Sequence, residues 1–218
     1  MTPQMGLFFG GIAFLATHFL MSHPFRAPLL RRFGTKGFQG LYSLVAIVLF
    51  GLMIWSYHAI GRERQAWHPT EWAFGLGAVL MWLGAVLFTG SFVGNPALPG
   101  APGPRGGPSG VFAITRHPMM WGFALWAITH ILVVAQPKAV MFYGAILLLA
   151  IFGSALQDRK KAGLMGDMWH EWTAQTAFFP FARGFAHPGT FALVAGTLLY
   201  LVVTWLHPVK VGVWRWIA

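Results

Sequence analysis

The sequence predicts an all-α, polytopic integral membrane protein: a helical bundle with about six transmembrane helices. Three observations predict it. Of the 218 residues, 56% are hydrophobic and only 9% charged, and the mean hydropathy is +0.61. A soluble domain of this size carries roughly a quarter charged residues. Six apolar runs, at 5–22, 38–60, 72–94, 118–136, 139–156 and 190–207, reach or approach the roughly 17–25 residues that a spanning helix needs. None alternates apolar and polar residues with the period of two that a membrane barrel strand requires. A single domain over residues 1–218 accommodates all six.

The first run has no basic residue before it and no small-residue cleavage site after it, so it reads as a retained helix rather than a signal peptide. His23 precedes Pro24 and marks the end of that helix, because a residue before proline is pushed out of the helical region. Glycine pairs four apart, Gly6/Gly10 and Gly90/Gly94, suit close helix packing. The fourth and fifth runs are separated only by the turn around Pro137 and Lys138, which makes them an antiparallel hairpin. Two segments between runs have a distinct character. Residues 94–110, "GNPALPGAPGPRGGPSG", are too rich in Pro and Gly for regular structure and read as a linker or as a lid over a cavity mouth. Residues 157–181 open with charges and carry aromatics, which suits a helix extending past the membrane and then a short interfacial helix.

Basic residues set the orientation. With the N-terminus outside, the inner loops 23–37, 95–117 and 157–189 hold ten Lys and Arg, against five in the outer segments. Both termini are therefore expected outside, on the periplasmic side of a bacterial inner membrane. The formal charge of +10 is too diffuse for a nucleic-acid partner. It suits loops held against anionic lipid, so the lipid bilayer is the expected partner. Cysteine is absent, which excludes disulfides, thiolate clusters and a thiol nucleophile.

Nine histidines, most in or beside apolar runs, are the main chemical signal. His68, His170, His187 and His207 fall near run ends, where an imidazole is ordinarily solvated, and His58 falls near the outer end of the second run. His18 and His130 lie inside their runs. Intramembrane ionisable groups face a partner, a cavity or a cofactor, so each is either a neutral imidazole bonded to a neighbouring helix or a ligand. All five acidic residues lie outside the apolar runs or at their ends, which disfavours a carboxylate-rich metal centre in the bundle. Haem needs only one or two axial imidazoles and otherwise apolar, aromatic walls. Gly11, seven residues before His18, would leave a gap for the ring. Arg26, Arg31, Arg32 and Arg116 stand near the inner interface, where propionates would pair. The depths of His18 and His130 differ by roughly 10 Å at 1.5 Å per residue, which requires a tilted ring.

The stretch "ITRHPMMWGFALWAITH" at 114–130 joins two features. His117 and His130 are thirteen residues apart and point about 140° apart on one helix. Pro118 begins the helix where a missing N–H costs nothing. The helix N-terminus with Arg116 and His117 then forms an anion-attracting mouth for a propionate, a nucleotide-derived carboxylate or a lipid phosphate, or else a plain interface anchor.

With "THFLMSHPFRAPLLRRFGTKGFQGLYSLVA" at 17–46 and "DRKK…G…W…T…FP" at 158–180, this stretch resembles the NnrU family over nearly the whole chain. The family is named for a link to nitrite and nitric oxide reduction in denitrification. It is similar in turn to the 15-cis-zeta-carotene isomerases, membrane enzymes with haem b and a redox-gated site. That resemblance implies haem b held by His18 and His130, with a third histidine near His58. It also implies isomerase-like redox chemistry and a redox or nitrogen-oxide reductase partner. The sequence departs from the isomerases at Trp126 and Ala127, where they carry a cysteine. A more distant similarity runs to the isoprenylcysteine carboxyl methyltransferases through Arg116, His117, Pro118 and Gly122. It implies S-adenosylmethionine bound at Arg116 and His117, although Met120 stands at their aromatic position and Glu171 alone where paired glutamates are usual. A non-catalytic assembly factor for a reductase is the third reading.

Overall fold

The computed structural model describes residues 1–98, 100–104 and 106–217, all of it helix and connecting loop. The helices are α1 (Pro3–Ser22), α2 (Arg26–Ala59), α3 (Glu71–Gly90), α4 (Val111–Ile114), α5 (Pro118–Val134), α6 (Pro137–Met165), α7 (Asp167–Gln175), α8 (Thr190–Trp205) and α9 (Trp214–Ile217). Four of them, α1, α2, α3 and α6, are long and apolar enough to cross a bilayer, and the apolar α5 and α8 have 17 and 16 residues. These six coincide with the six apolar runs, and the protein is a helical membrane bundle.

The ends differ from the runs for a physical reason: hydropathy marks contact with lipid, whereas helicity continues into water. Thus α2 begins at Arg26, twelve residues before its apolar run, with non-helical backbone inside it at Gly34 (φ 65°, ψ 178°). In the same way α6 runs past its apolar stretch through Asp158–Lys161 to Met165. At the start of α1, Thr2 caps the helix by accepting the Met5 N–H at 3.3 Å, with Pro3 in the first turn; both are helix-start signals.

Within the single domain expected from sequence, two compact units are distinguishable: Met1–His68 with Val134–Leu149, and Pro69–Val133 with Ala150–Ala218. In the first unit, α1 packs on α2 through small residues. A Cβ at Gly6 would lie 2.8 Å from Ser56 Oγ, and one at Gly10 would lie 3.4 Å from Met53 Cγ. The first half of α6 joins them through Phe142, whose ring is 5.7 Å from Phe50 and 5.4 Å from Tyr57. The loop after α2 is tied to the start of α6 by Glu63, which accepts the Lys138 backbone N–H at 2.7 Å. The Lys138 ammonium donates to the Gly61 carbonyl and lies over the Tyr57 ring.

The second unit is also built on glycine seams. Gly84 of α3 and Gly122 of α5 meet backbone to backbone, a Cβ at Gly122 falling 2.9 Å from the Gly84 carbonyl. α8 crosses α3 at Gly196, where a Cβ would lie 2.5 Å from Val86 Cα, and the Trp82 indole donates to Thr197 Oγ1 at 2.9 Å. In lipid, where no hydrophobic effect presses helices together, such close approach supplies the packing. Gly90 packs tightly against Val111 and Ala192, whereas Gly94 lies beyond the end of α3 at φ 66° with nothing within 4 Å. The Gly90/Gly94 pair is therefore half seam and half turn.

Replacing Gly196 by Ala must push α3 and α8 apart, since the obstacle is backbone. We expect a loss of about 1–3 kcal/mol, the usual range for overpacking, seen as a lower thermal midpoint in detergent. Gly75→Ala, with nothing within 4 Å of the added atom, is the control and should not lower the midpoint.

Candidate functional site

The two intramembrane histidines use their ring nitrogens alike. In α1, His18 Nδ1 lies 2.7 Å from the Phe14 carbonyl, and in α5, His130 Nδ1 lies 2.8 Å from the Trp126 carbonyl. A carbonyl only accepts, so the proton in each case is on Nδ1. In the neutral ring the lone pair then stands on Nε2. The Nδ1 bond in each case goes to the histidine's own helix, four residues back. Both histidines are half-buried and lie against aromatic rings. His18 is 4.2 Å from the Phe14 ring and 5.2 Å from that of Tyr42, and His130 is 4.8 Å from that of Trp126. His18 belongs to the first unit and His130 to the second. The gap expected beside Gly11 is filled by protein: a Cβ there would sit 3.5 Å from that of Ala145.

His58 is exposed at the end of α2, edge-on to Tyr57. His68, His170, His187 and His207 are exposed as well. Among the described residues, no group of three or more His, Asp or Glu side chains is placed to hold a metal ion. An axial imidazole pair is a smaller requirement than such a cluster.

Arg116 and His117, read from the sequence as an open mouth, are instead the centre of a polar knot. Asp158, on the charged extension of α6, receives Arg116 Nε at 2.8 Å on one oxygen and His117 Nε2 at 2.9 Å on the other. The Arg116 and Asp158 side chains are 14% and 17% exposed and that of His117 only 1%. His117 Nδ1 is buried without a partner among the described residues. The same turn of chain holds residues 176–181 in place. The Arg116 backbone N–H donates to the Ala177 carbonyl at 2.8 Å, and Phe181 N–H donates to the Ile114 carbonyl at 3.1 Å. Thr115 Oγ1 and the Trp121 indole both donate to the Phe178 carbonyl at 2.7 Å. The guanidinium also lies 5.4 Å over the Phe178 ring. The Arg116 and His117 side chains, the Thr115 hydroxyl and the Trp121 indole of this "TRHPMMW" segment are thus engaged inside the protein.

Sequence reasoning noted Asp158 only as an acid at the end of an apolar run. The available signal was the excess of cation at 116–117 with no acid nearby in sequence; the partner lies more than forty residues on.

Described residues of the Pro/Gly-rich segment help to line a cavity of about 580 Å³. Asn95, Gly103, Ser109, Trp172, Thr190 and Phe191 are among its lining residues. The lid reading of this segment extends over Pro99 and Arg105, which lie outside the described residues. α7, expected to be interfacial, turns Trp169 and Trp172 into the core of this unit, where they pack with Phe112, Ile114 and Leu125.

The fold and this arrangement define a polytopic helical membrane protein with two half-buried intramembrane histidines and one charged knot. The chain matches the model of the NnrU protein family over residues 6–215, and it belongs to that family. No curated protein and no solved structure matches it.

Asp158→Asn should lower the unfolding free energy by about 3 kcal/mol, because it strands a mostly buried guanidinium. The pair Arg116→Met with Asp158→Leu should lose less than either single change, since it leaves no unpaired charge at these two positions. Thermal unfolding of the wild type and these variants in one detergent gives the comparison.

Proposed function

We propose that this NnrU protein binds haem b through His18 and His130 and serves redox-linked chemistry tied to nitrite and nitric oxide metabolism, of the isomerase-like kind. On this reading it works in a bacterial inner membrane with both termini periplasmic, beside a redox partner or a nitrogen-oxide reductase. One observation carries the cofactor: both histidines spend Nδ1–H on a carbonyl of their own helix. That bond fixes ring orientation and tautomer and directs Nε2 outward, the arrangement that metal-ligating histidines use. Haem b, when bound, supplies reversible one-electron chemistry at its iron. The chain's own part is to hold the imidazoles neutral and oriented, and to surround them with Phe14, Tyr42 and Trp126, which limit access of water.

The methyltransferase reading needs Arg116 and His117 to receive the carboxylate of S-adenosylmethionine. Asp158 already takes that place, and the geometry therefore supports the haem reading better.

The full-length protein, made with ample haem and purified in mild detergent, should show a Soret band. His18→Ala and His130→Ala should each abolish or strongly reduce it, and His58→Ala should leave it unchanged. A wild-type spectrum without that band overturns the proposal. S-adenosylmethionine detected in the same preparation by mass spectrometry would favour the methyltransferase. A reductase that co-purifies with haem-free protein would favour the assembly role.

A further inference from the structure

The first 62 residues contain no Asp or Glu, yet Arg26, Arg31, Arg32 and Lys36 fall within eleven of them. They occupy the start of α2, between the end of α1 at Ser22 and the apolar run that begins at residue 38. This stretch therefore joins two membrane helices at one membrane–water boundary. Gly34, in its left-handed conformation, separates 26–33 from the remainder of α2.

The short piece is amphipathic. At 100° per residue, Leu29, Leu30 and Phe33 fall within about 100° of one another, Arg31 projects from the opposite side and Arg32 from the flank, about 60° from Leu29. Leu29 and Leu30 are half-buried, whereas Arg31, Arg32 and Lys36 are exposed. Two large rings beside the cations are also exposed, Phe25 at 52% and Phe33 at 47%.

Among the described residues none of these four cations pairs with a carboxylate. Arg32 lies over the Phe33 ring at 5.7 Å, a contact that orients the guanidinium but leaves its charge. Three of the chain's five acids are employed elsewhere: Glu63 at Lys138, Glu71 at Arg215, Asp158 at Arg116 and His117. Four cations this close repel one another, so the counter-charge comes from outside the protein. The depth, the charge and the exposed rings together specify its form. A guanidinium matches a phosphate bidentately, and phenyl rings beside it are useful only where there are acyl chains to enter.

We propose that residues 25–36 form a docking surface for anionic phospholipid headgroups. Arg31, Arg32 and Lys36 take the phosphates, and Phe25 and Phe33 anchor among the first methylenes of the acyl chains. The surface holds this end of the α1–α2 pair at a fixed depth.

The test is titration of the full-length, detergent-solubilised protein with short-chain phosphatidylglycerol and, separately, phosphatidylcholine, read by native mass spectrometry. The wild type should retain phosphatidylglycerol in preference, and added salt should weaken that binding and not that of phosphatidylcholine. R31Q/R32Q/K36Q should lose about a hundredfold in phosphatidylglycerol affinity, following from three charges at about 1 kcal/mol each near an anionic surface. R31K/R32K/K36R should retain most of it, and R62Q/R64Q, which removes two exposed cations at the other end of α2, should change nothing. Equal retention of both lipids by the wild type, or unchanged affinity in the triple Gln variant, overturns the proposal. So does full displacement by excess inorganic phosphate, which would identify a site for soluble phosphate. Loss of haem absorbance in the triple Gln variant would assign these cations to propionates and overturn it as well.

Discussion

One carboxylate, that of Asp158, organises the charged end of the second unit. A guanidinium and an imidazole placed where a membrane helix begins are costly to bury without a counter-charge. Asp158 gives each its own oxygen, at 2.8 and 2.9 Å. With Arg116 fixed, the backbone beside it can serve residues 176–181, an irregular segment whose peptide groups must find partners. It does so at Ala177 and Phe181, and the Thr115 hydroxyl and Trp121 indole add two bonds to the Phe178 carbonyl. That clasp sets the path of the chain from α7 back to α8 and keeps Trp169 and Trp172 in the core. Three segments distant in sequence, 114–121, 158 and 176–181, are thus mutually dependent. This dependence also explains why the anion-attracting mouth suggested by Arg-His-Pro is closed: its anion is supplied by the protein.

Away from the knot, cohesion rests on the absence of side chains more than on their presence. The Gly84–Gly122 and Gly196–Val86 contacts bring backbones together, and many of the large apolar residues of the same helices, such as Trp72, Val79 and Leu198, face outward. This inverts the pattern of a soluble core, as it must where the surrounding medium is itself apolar and large side chains gain little from burial. Burial is consequently a poor guide to importance in this chain. Glycine contacts and polar pairs are better ones.

The helices were legible in the sequence because hydrocarbon selects for long apolar runs irrespective of what packs against them. Their ends were not, because Arg26–Arg32 and Asp158–Lys161 are helical without being apolar. Gly6 and Gly10 could be read as a seam from their spacing, but Gly94, with the same spacing from Gly90, belongs to a turn. Gly11 was read as room for a ring, and the structure gives that room to Ala145; a missing side chain shows that something approaches, and not what. His18 and His130 stood out because imidazole is rare at that depth. The bonds each makes to its own helix followed from no sequence pattern, since they depend on a rotamer. Asp158 was hidden by sequence distance from the cations it neutralises.

The polar chemistry of the chain is therefore arranged by the way each group is neutralised. His18 and His130 are bonded at Nδ1 to carbonyls of their own helices, and as neutral rings they need no counter-charge in an apolar setting. Arg116 and His117 retain charge and polarity because Asp158 is buried with them. Among the described residues Arg31, Arg32 and Lys36 pair with no carboxylate, and cations of that density are stable only beside solvent or anionic headgroups. The three sets of groups thus differ in where their neutralisation comes from: the helix's own backbone, a carboxylate of the protein, and the surroundings of the chain.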